Sequence, residues 1–308
     1  MLRTRYPNRP MIGALIVTWN RRQDVLECIE SVKQSSYPRL AVYVVDNASP
    51  DESYEAIAAR HPDVNLTRSE DNLGFAGGNN LGLSRVLEDG VDAVLLLNDD
   101  LVVGKEAVER LVERSEDPEV GALAPKVFVH SDPGRIWAAG GMIDSRGGAV
   151  QRHCGELDLG QADEPAEIDY AVGCAMLVKT EVVRQVGPMD PRYYMYYEES
   201  DWCRRMRLAG YRIFYVPESH VWHKVSMNGH IRNHAPYYFA RNRLLYLREG
   251  GTHPLAVARI AADMIRSAAA HAAKGRREEG GLMVRAVADY YLKNFGKFRN
   301  GSFAKADR

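Results

Sequence analysis

The sequence predicts an α/β protein in which a mixed, mainly parallel sheet is flanked by helices. Strand-length apolar runs alternate with helix signals over roughly the first 100 residues. These runs are apolar at every position rather than at every second one, which is typical of parallel strands covered by helices on both faces. A length of 308 residues allows one large domain with an appendage, or two domains.

Capping patterns mark the starts of the first two helices. Asn20 with Gln23 forms a capping-box pattern directly after the first strand. Ser49 and Pro50 follow the second strand and are typical of an N-cap and a first helical position. The predicted strands of this part are residues 12–18, 40–45, 64–68 and 93–97, and a helix is predicted over residues 79–88.

The pattern changes after Val120 and again after Ala235. The middle of the chain has shorter strands and glycine-rich turns, which predicts that it completes the same sheet. The predicted elements there are strands 170–178 and 211–216 with a helix over 200–209. Three helices are predicted after Ala235, over 237–248, 255–273 and 282–298. The predicted organisation is an α/β domain over residues 1–235 and a helical extension over 236–308.

The net charge of −1 is an average over two unlike parts. Residues 236–308 carry 14 Lys and Arg against 6 Asp and Glu, a net charge of +8, and the remainder carries −9. Such asymmetry predicts two surfaces with different partners. A neutral chain as a whole gives no indication of a nucleic-acid partner.

Other features bear on the compartment. No apolar run approaches the ~18 residues that cross a bilayer, and the first ten residues are polar and basic, so we expect a cytoplasmic protein. The four cysteines have no CxxC spacing, which predicts buried thiols rather than a disulfide framework or a zinc site.

Polar residues follow each predicted strand and are expected to meet at one edge of the sheet, because ligands of such sheets bind at the carboxyl ends of the strands. The turn between Thr18 and Arg22 has no glycine, which excludes a GxGxxG or P-loop site there. The residues expected at this edge are Thr18, Asn20, Asp46, Asn47, residues 72–80, Asn98, Asp99 and Asp100.

Two of these segments have both a chemical and a structural interpretation. Asn98, Asp99 and Asp100 offer hard oxygen ligands that suit Mg²⁺ or Mn²⁺ holding a diphosphate, or they cap a helix. The segment NLGFAGGNN, residues 72–80, offers backbone amides to an anion at a helix start, or it is an ordinary turn.

A third segment combines carboxylates with aromatic side chains. Glu198, Glu199 and Asp201 lie at a helix start, where acidic residues stabilise the helix dipole. The tyrosines before them and Trp202 after them could desolvate one carboxylate, raise its pKa and suit it to accept a proton. His220 and His223 follow a predicted strand; in extended backbone their rings face opposite ways, so one of them could complete the aspartate site.

Six blocks in this order resemble glycosyltransferase family 2, which has the GT-A fold, and within it the bacterial rhamnosyltransferase branch. They are VTWN (17–20), VVDNAS (44–49), NLGFAGGNN (72–80), LLNDD (96–100), GCAML (173–177) and YEESDWC (197–203). The resemblance spans about residues 11–249 and implies a nucleotide-sugar transferase with a basic helical extension.

The resemblance also implies roles for individual residues. Thr18, Asp46 and Asn47 would hold the base and ribose of the nucleotide. Asp100 would bind the metal, with Asp99 beside the ribose or metal and His223 as a further metal or diphosphate contact. Glu199 falls at the position of the catalytic base; that position is often Asp in the family, so Glu198 and Asp201 stay alternatives. The remaining implied substrate contacts are Asn20, Asn72, Gly74, Phe75, Gly77, Asn79, Asn98 and Trp202.

The implied reaction is an inverting, single-displacement glycosyl transfer that uses Mg²⁺ or Mn²⁺. The branch favours dTDP-L-rhamnose as donor, with UDP-sugars next, for example in a galactofuranosyl- or hexosyltransferase. The acceptor would be a cell-surface glycan, or a glycan on a lipid carrier. The alternatives are a nucleotidyltransferase, which the glycine-free first turn argues against, and a non-catalytic glycan-binding protein of the same fold.

The C-terminal helices have two interpretations. Basic residues on small apolar helices would suit peripheral attachment to the anionic inner face of the plasma membrane. The same helices could instead pack on the α/β domain or form a homodimer interface.

Overall fold

A computed structural model of the chain describes residues 9–225 and 234–299. Within these ranges the strands are β1 (Ile12–Thr18), β2 (Leu40–Asp46), β3 (Asn65–Arg68), β4 (Ala93–Asn98), β5 (Leu101–Val103), β6 (Val120–Val129), β7 (Asp132–Ala138), β8 (Gly141–Ile143), β9 (Ala149–Gln151), β10 (Ala166–Glu167), β11 (Ala175–Lys179) and β12 (Arg212–His223). The helices are α1 (Arg22–Lys33), α2 (Ser53–Arg60), α3 (Gly74–Glu88), α4 (Ala107–Ser115), α5 (Thr180–Val186), α6 (Glu198–Leu208), α7 (Ala235–Glu249), α8 (Pro254–Ala273) and α9 (Arg277–Tyr291).

One mixed sheet organises the described residues. Its main path runs β10-β12-β6-β11-β4-β1-β2-β3, with β5 added to β12 and β7 added to β6. Strands β3, β2, β1 and β4 are parallel, β11 is antiparallel to both β4 and β6, and β12 is parallel to β6. The predicted mixed, mainly parallel sheet with flanking helices is thereby confirmed. The strand order reverses at β1 and β4, where α/β sheets of this kind form their ligand site.

The core explains why the parallel strands are continuously apolar. Strands β1, β2 and β4 are buried almost throughout, and helices α1 to α6 pack around the sheet. A second apolar cluster joins α7, α8 and α9 to Tyr194, which lies in the loop before α6. The helical extension therefore packs against the segment that carries the tyrosines.

The predicted caps of the first two helices were wrong. The N-cap residue of α1 is Arg21 and that of α2 is Glu52, neither with a side-chain capping bond. Asn20 adopts a left-handed backbone conformation, and its backbone N–H donates to Ser49 Oγ at 3.0 Å. The two expected cap residues thus connect the turns after β1 and β2 to each other.

Several predicted bounds also differ. Helix α3 begins at Gly74, within the Gly- and Asn-rich segment, rather than at residue 79. Strand β11 begins at Ala175 rather than at 170, and β12 continues to His223 rather than ending at 216. Helix α9 runs over Arg277–Tyr291 and not to residue 298. A helical segment with small and aromatic residues gives no sharp end signal in the sequence, which accounts for the last error.

Three of the four thiols are buried as predicted, but Cys154 is exposed. The expected boundary at residues 235 and 236 falls at the first residue of α7 and stays a prediction. None of the helices in the described ranges has the length and apolar character needed to span a bilayer. Residues 1–8 of the polar N-terminal stretch lie outside the described part of the chain.

Candidate active site

The carboxyl ends of β1, β2 and β4 bring the predicted polar residues together. Thr18 is aligned with Asp46 across β1 and β2, and Val17 is aligned with Asn98 across β1 and β4. Thr18 Oγ1 donates to Asp99 Oδ2 at 2.8 Å, and both side chains are buried. The strand register therefore brings the end of β1 next to Asp99, the first of the two aspartates after β4.

Asp46 is a buried carboxylate at the end of β2. Burial raises its pKa, whereas hydrogen bonds from Ser49 and the charge of Arg68 lower it. Arg68 Nε lies 3.2 Å from Asp46 Oδ2, and the carboxylate is fully buried. Arg68, at the end of β3, was not predicted as a site residue, because a single arginine in a short strand gives no sequence signal.

Asp100 occupies the centre of a charged cluster. His223 Nε2 lies 2.9 Å from Asp100 Oδ1, and Arg21 lies 3.0 Å from Oδ2 of the same carboxylate. Strand β12 aligns His223 with Leu101 of β5, and the Lys224 amide donates to the Asp100 carbonyl at 2.9 Å. Sequence reasoning joined Asp100 to His223 but missed Arg21.

The other histidine of the pair belongs to a different environment. The ring of His220 lies 5.4 Å from that of Phe128, centroid to centroid, whereas His223 packs edge-on against Trp137 at 4.5 Å. This difference confirms the expected opposite orientation of two side chains three residues apart in a strand.

Asp99, Asp100 and His223 could supply only part of the coordination shell of a divalent cation. Across residues 9–225 and 234–299, no group of three or more His, Cys, Asp and Glu side chains is placed to hold a metal ion. Asp99 and Asp100 supply hard oxygens, and the buried Nδ1 of His223 has no hydrogen-bond partner. Mg²⁺ is commonly bound by one or two carboxylates together with substrate phosphates. Asp99 and Asp100 fit that pattern as the carboxylate part of a site that substrate phosphates would complete, with His223 beside Asp100.

The segment 72–80 is a scaffold more than an open anion site. Asn47 Oδ1 accepts from the Leu73 amide at 2.9 Å, and Asn72 Oδ1 accepts from the Gly74 amide at 2.9 Å. The next two amides, of Phe75 and Ala76, donate to the Tyr194 carbonyl at 2.7 and 3.2 Å. Since all four amides have protein acceptors, the anion-binding interpretation of this helix start does not hold for them.

Other members of that segment also have structural partners. Asn79 is buried, and its Nδ2 donates to the Phe75 carbonyl at 2.9 Å. A side chain at Gly77 would meet Leu73. Phe75 lies closer to the candidate chemistry, because a Cβ on Gly173 would be 3.2 Å from its ring and 3.6 Å from Glu199 Cβ.

Glu199 is the carboxylate whose environment best suits proton transfer. Burial raises its pKa from 4.5 to about 7, although backbone amides that include those of Gly173 and Tyr197 act to lower it. Burial, with the neighbouring Glu199 charge, raises the pKa of Glu198 well above its ordinary value. Desolvation at this helix start was predicted for one carboxylate and affects two, Glu198 and Glu199.

A short segment before β11 joins Glu199 to the aspartates. The Cys174 carbonyl accepts from the Asn98 amide at 2.8 Å, and the preceding residue, Gly173, contributes an amide to the surroundings of Glu199. Burial raises the pKa of the Cys174 thiol, and the charges of Asp100 and Glu199 add to the effect. Glu199 and the aspartates after β4 thus both lie near residues 173–174.

Asp201 and Trp202, which were predicted as site residues, have structural contacts instead. Asp201 accepts from Arg205 Nε at 2.9 Å, from Tyr193 Oη at 3.3 Å and from Arg204, so its carboxylate is fully engaged in ion pairs. Trp202 is completely buried, and its indole donates to the Gly187 carbonyl at 2.8 Å. The structure therefore argues against Asp201 as the base and places Trp202 in the core rather than at the substrate.

Comparisons with known proteins agree with this geometry. The model of glycosyl transferase family 2 matches residues 14–187, more than half of the chain, and the chain belongs to that family. This membership confirms the resemblance drawn from the six sequence blocks.

The relatives include rhamnosyltransferases. A hexosyltransferase of low-salt glycan biosynthesis from Haloferax volcanii is 26% identical over 209 residues, 64% of this chain and 61% of that protein. The N-acetylglucosaminyl-diphospho-decaprenol L-rhamnosyltransferase of Mycobacterium tuberculosis is 26% identical over 259 residues, 77% of this chain and 83% of that one. The dTDP-rhamnosyl transferase RfbF of Shigella flexneri is 26% identical over 249 residues, 77% of this chain and 80% of that one. The chain thus spans less than two thirds of the first relative and about four fifths of the other two.

Solved structures share the fold. A mannosyltransferase from Pyrobaculum calidifontis, in complex with GDP-Man and Mn²⁺, is similar with a TM-score of 0.59 at 17% identity, over 93% of this chain and 88% of that one. GalNAc-T7 with UDP, GalNAc and Mn²⁺ is similar with a TM-score of 0.63 at 16% identity, over 79% of this chain and 48% of that one. These similarities confirm the predicted GT-A fold.

Proposed function

We propose that this protein is an inverting glycosyltransferase that moves a sugar from a nucleoside-diphosphate donor to a hydroxyl group of a glycan or lipid-linked acceptor. The observation that carries the proposal is the position of Glu199. Its carboxylate, with a pKa raised to about 7, is joined through residues 173–174 to the buried aspartates at the end of β4. A general base works best when its pKa lies near the working pH.

The geometry supports a separate role for each part of the site. Glu199 accepts the proton of the acceptor hydroxyl as that oxygen attacks the anomeric carbon. Thr18, Asp46 and Asn47 surround the ends of β1 and β2, where they would hold the nucleoside. Asp99, which accepts the Thr18 hydroxyl, lies beside that nucleoside site.

Asp100 and His223 would hold Mg²⁺ or Mn²⁺, with Asp99 next to them. When bound, the cation would neutralise charge on the departing nucleoside diphosphate. The presence of Mn²⁺ in both structural neighbours supports this assignment. Arg21 already contacts Asp100 at 3.0 Å, and this guanidinium would lie close to the diphosphate.

The donor we propose is dTDP-L-rhamnose. The rhamnosyltransferases of Mycobacterium tuberculosis and Shigella flexneri, to which the chain is similar, support it. A UDP-sugar is the second candidate, since one structural neighbour binds UDP and another, TarS of S. aureus, UDP-GlcNAc. The Mycobacterium tuberculosis relative, which is named for N-acetylglucosaminyl-diphospho-decaprenol, supports a lipid-linked acceptor.

A thermal-shift panel of dTDP, UDP and GDP, each with Mg²⁺, Mn²⁺ or neither, tests the donor. A ligand that binds only the native state raises its melting temperature. We expect the largest rise with dTDP and a cation. Nucleoside diphosphate release from dTDP-L-rhamnose, with and without a glycan acceptor, then tests transfer. Absence of binding and release with every donor would reject the proposed function in favour of a non-catalytic glycan-binding protein.

We also propose that α8 and α9 attach the protein peripherally to the anionic inner face of the plasma membrane. Leu255 on α8, Val284 on α9 and Leu292 directly after α9 are exposed apolar residues, and residues 236–308 carry a net charge of +8. Basic residues near an anionic surface contribute about 1 kcal/mol each. Co-sedimentation with anionic vesicles but not neutral ones would support this; no binding to either, with a dimer in solution, would favour a homodimer interface.

A further inference from the structure

The loop before α6 has an unusual backbone that requires external support. Tyr194, Tyr196 and Tyr197 have positive φ angles of 66°, 69° and 73°. Bulky residues rarely adopt this left-handed region, and they persist there only where the surrounding structure over-determines the conformation. Residues 193–197, called the tyrosine loop below, lead directly into Glu198 and Glu199.

The support comes from two buried polar residues of α7. Arg241 donates to the carbonyls of Arg192 at 3.2 Å and Tyr193 at 2.9 Å. Asn242 Nδ2 lies 2.9 Å from the Tyr193 carbonyl. Both side chains are completely buried, so these bonds are not in competition with water.

Asn242 also holds the part of the loop nearest the candidate base. Its Nδ2 lies 2.8 Å from the Met195 carbonyl and 2.7 Å from the Tyr196 carbonyl. The Tyr196 carbonyl and the Tyr197 amide belong to one planar peptide group. The Tyr197 amide is one of the backbone donors that lower the pKa of Glu199. The peptide that Asn242 holds therefore leads directly into the first turn of α6, two residues before Glu199.

We propose that Asn242 is a positioning residue for the catalytic base Glu199. Asn242 acts on Glu199 through the Tyr196–Tyr197 peptide. The inference rests on the proposed function, because it assigns a role within the same reaction. Helix α7 then contributes to catalysis through Asn242, which supports the loop before Glu199. Loss of the Asn242 amide would free this peptide to move, which would weaken the lowering effect of the Tyr197 amide and so raise the pKa of Glu199.

Few other groups could account for a pH shift at Glu199. The titratable groups that interact with it have pKa values that burial raises. They are Glu198 on α6, Tyr170 and Cys174 in the segment before β11, Tyr197 in the tyrosine loop and Cys203 on α6. The hydrogen bonds of Asn242 go to Arg241 and to three loop carbonyls and not to these side chains, so a shift in an Asn242 variant would report a change in the tyrosine loop.

The test compares Asn242→Ala with Val257→Ala. Val257 is buried in α8 within the same apolar cluster as Tyr194, so its truncation loosens the helical extension without touching the tyrosine loop's carbonyls. For Asn242→Ala we expect kcat to fall about 10- to 100-fold. The donor KM should stay within about threefold of wild type, and the acid limb of the kcat profile should move up by about 0.5–1 pH unit. For Val257→Ala we expect a lower melting temperature and an unmoved acid limb.

Asn242→Ser extends the series if the alanine variant does not fold, because its hydroxyl keeps one donor. We expect it to give an intermediate shift of the acid limb. A wild-type acid limb in a folded Asn242 variant would overturn the proposal, and so would an equal shift in Val257→Ala.

A readout independent of turnover separates this inference from the proposed function. The protein with ¹³C-labelled glutamate is titrated by NMR, and Glu199→Gln identifies the Glu199 carboxyl signal. We expect the midpoint to rise in Asn242→Ala and not in Val257→Ala. If wild type transfers no sugar, the proposed function fails while this titration still decides the role of Asn242; an unchanged midpoint overturns it.

Discussion

Three acidic side chains at the start of α6 have two different electrostatic environments. The Asp201 carboxylate is bound by Arg204, Arg205 and Tyr193. In contrast, the buried Oε2 atoms of Glu198 and Glu199 have no hydrogen-bond partner. A carboxylate that is desolvated without an ion pair has a raised pKa, which makes it able to accept a proton near neutral pH.

Substitution Glu199→Gln tests the proposed base. The amide has the same size but cannot accept the acceptor proton, so we expect turnover to fall by about 10²–10⁴-fold. Affinity for the nucleoside diphosphate, measured by calorimetry, should stay within a few fold of wild type. Glu198→Gln is the matched control and should retain much more activity. Full turnover of Glu199→Gln would contradict the assignment.

Substitution Asp100→Ala tests the cation site. It removes the carboxylate that contacts both His223 and Arg21, and we expect it to remove activity together with any response to Mg²⁺ or Mn²⁺. The measurement is nucleotide release across a metal titration. Asp71→Ala, at an exposed position in the turn after β3, should keep the response. Metal-stimulated transfer by Asp100→Ala would count against this site.

At the scale of elements, the start of α3 and the tyrosine loop determine each other's position. The Tyr194 carbonyl accepts from the first amides of α3, and the Tyr194 hydroxyl donates to Asn72 Oδ1 at 3.1 Å. Gly74, with φ of +72°, is required here because a Cβ would lie 2.5 Å from the Tyr194 carbonyl oxygen. The donor side and the base side of the site are therefore coupled through one residue.

Gly74→Ala should be more destabilising than an ordinary glycine substitution. Gly90 has nearly the same φ, +71°, and a Cβ added there would meet no atom within 4 Å, so Gly90→Ala isolates the backbone cost of about 1–2 kcal/mol. We expect Gly74→Ala to lower the free energy of unfolding, measured with urea, by at least twice that amount, because the Tyr194 contact must also break. Equal losses of stability in Gly74→Ala and Gly90→Ala would show that the close approach of Gly74 to Tyr194 does not affect stability.

Asp201→Asn tests whether this residue is structural. Its ion pairs tie α6 together and also reach the tyrosine loop through Tyr193. Removal of the charge should lower the free energy of unfolding by about 2–3 kcal/mol. Asp263→Asn, which affects an exposed cluster on α8, should cost under about 1 kcal/mol. If Asp201→Asn kept full stability but lost all transfer, Asp201 would return as a candidate base.

At the scale of the whole molecule, the buried glutamates predict a pH dependence of stability. The folded-state pKa of Glu199 is about 7, above its ordinary value of 4.5, so the folded state binds more protons than the unfolded state between these values. Stability should therefore fall as pH rises through that window. Glu198→Gln removes one buried carboxyl whose pKa is raised, so it should raise the free energy of unfolding at pH 8 and change it little at pH 5. Urea unfolding at both pH values checks this, and an equal effect at both would contradict it.

Much of the fold and of the strand-end site could be predicted from local pattern. Continuous apolar runs gave β1, β2 and β4, because strands covered on both faces need apolar side chains at every position. Once those strands are parallel, Thr18, Asp46 and Asp99 must meet at one edge. The sequence also indicated that a carboxylate of this segment is desolvated, since the surrounding tyrosines are adjacent in the chain, but not that burial affects both Glu198 and Glu199.

Tertiary structure alone decided how these residues are held. Asn242 lies 43 positions after Glu199 in the sequence, and nothing in a helical segment signals that its side chain binds three loop carbonyls. The ion pairs that exclude Asp201, and the contact of Arg21 with Asp100, likewise depend on packing between distant elements. Hydrophobic periodicity is a property of neighbouring residues and determines elements and layers, whereas hydrogen bonds between buried polar groups depend on distances that only the folded chain establishes.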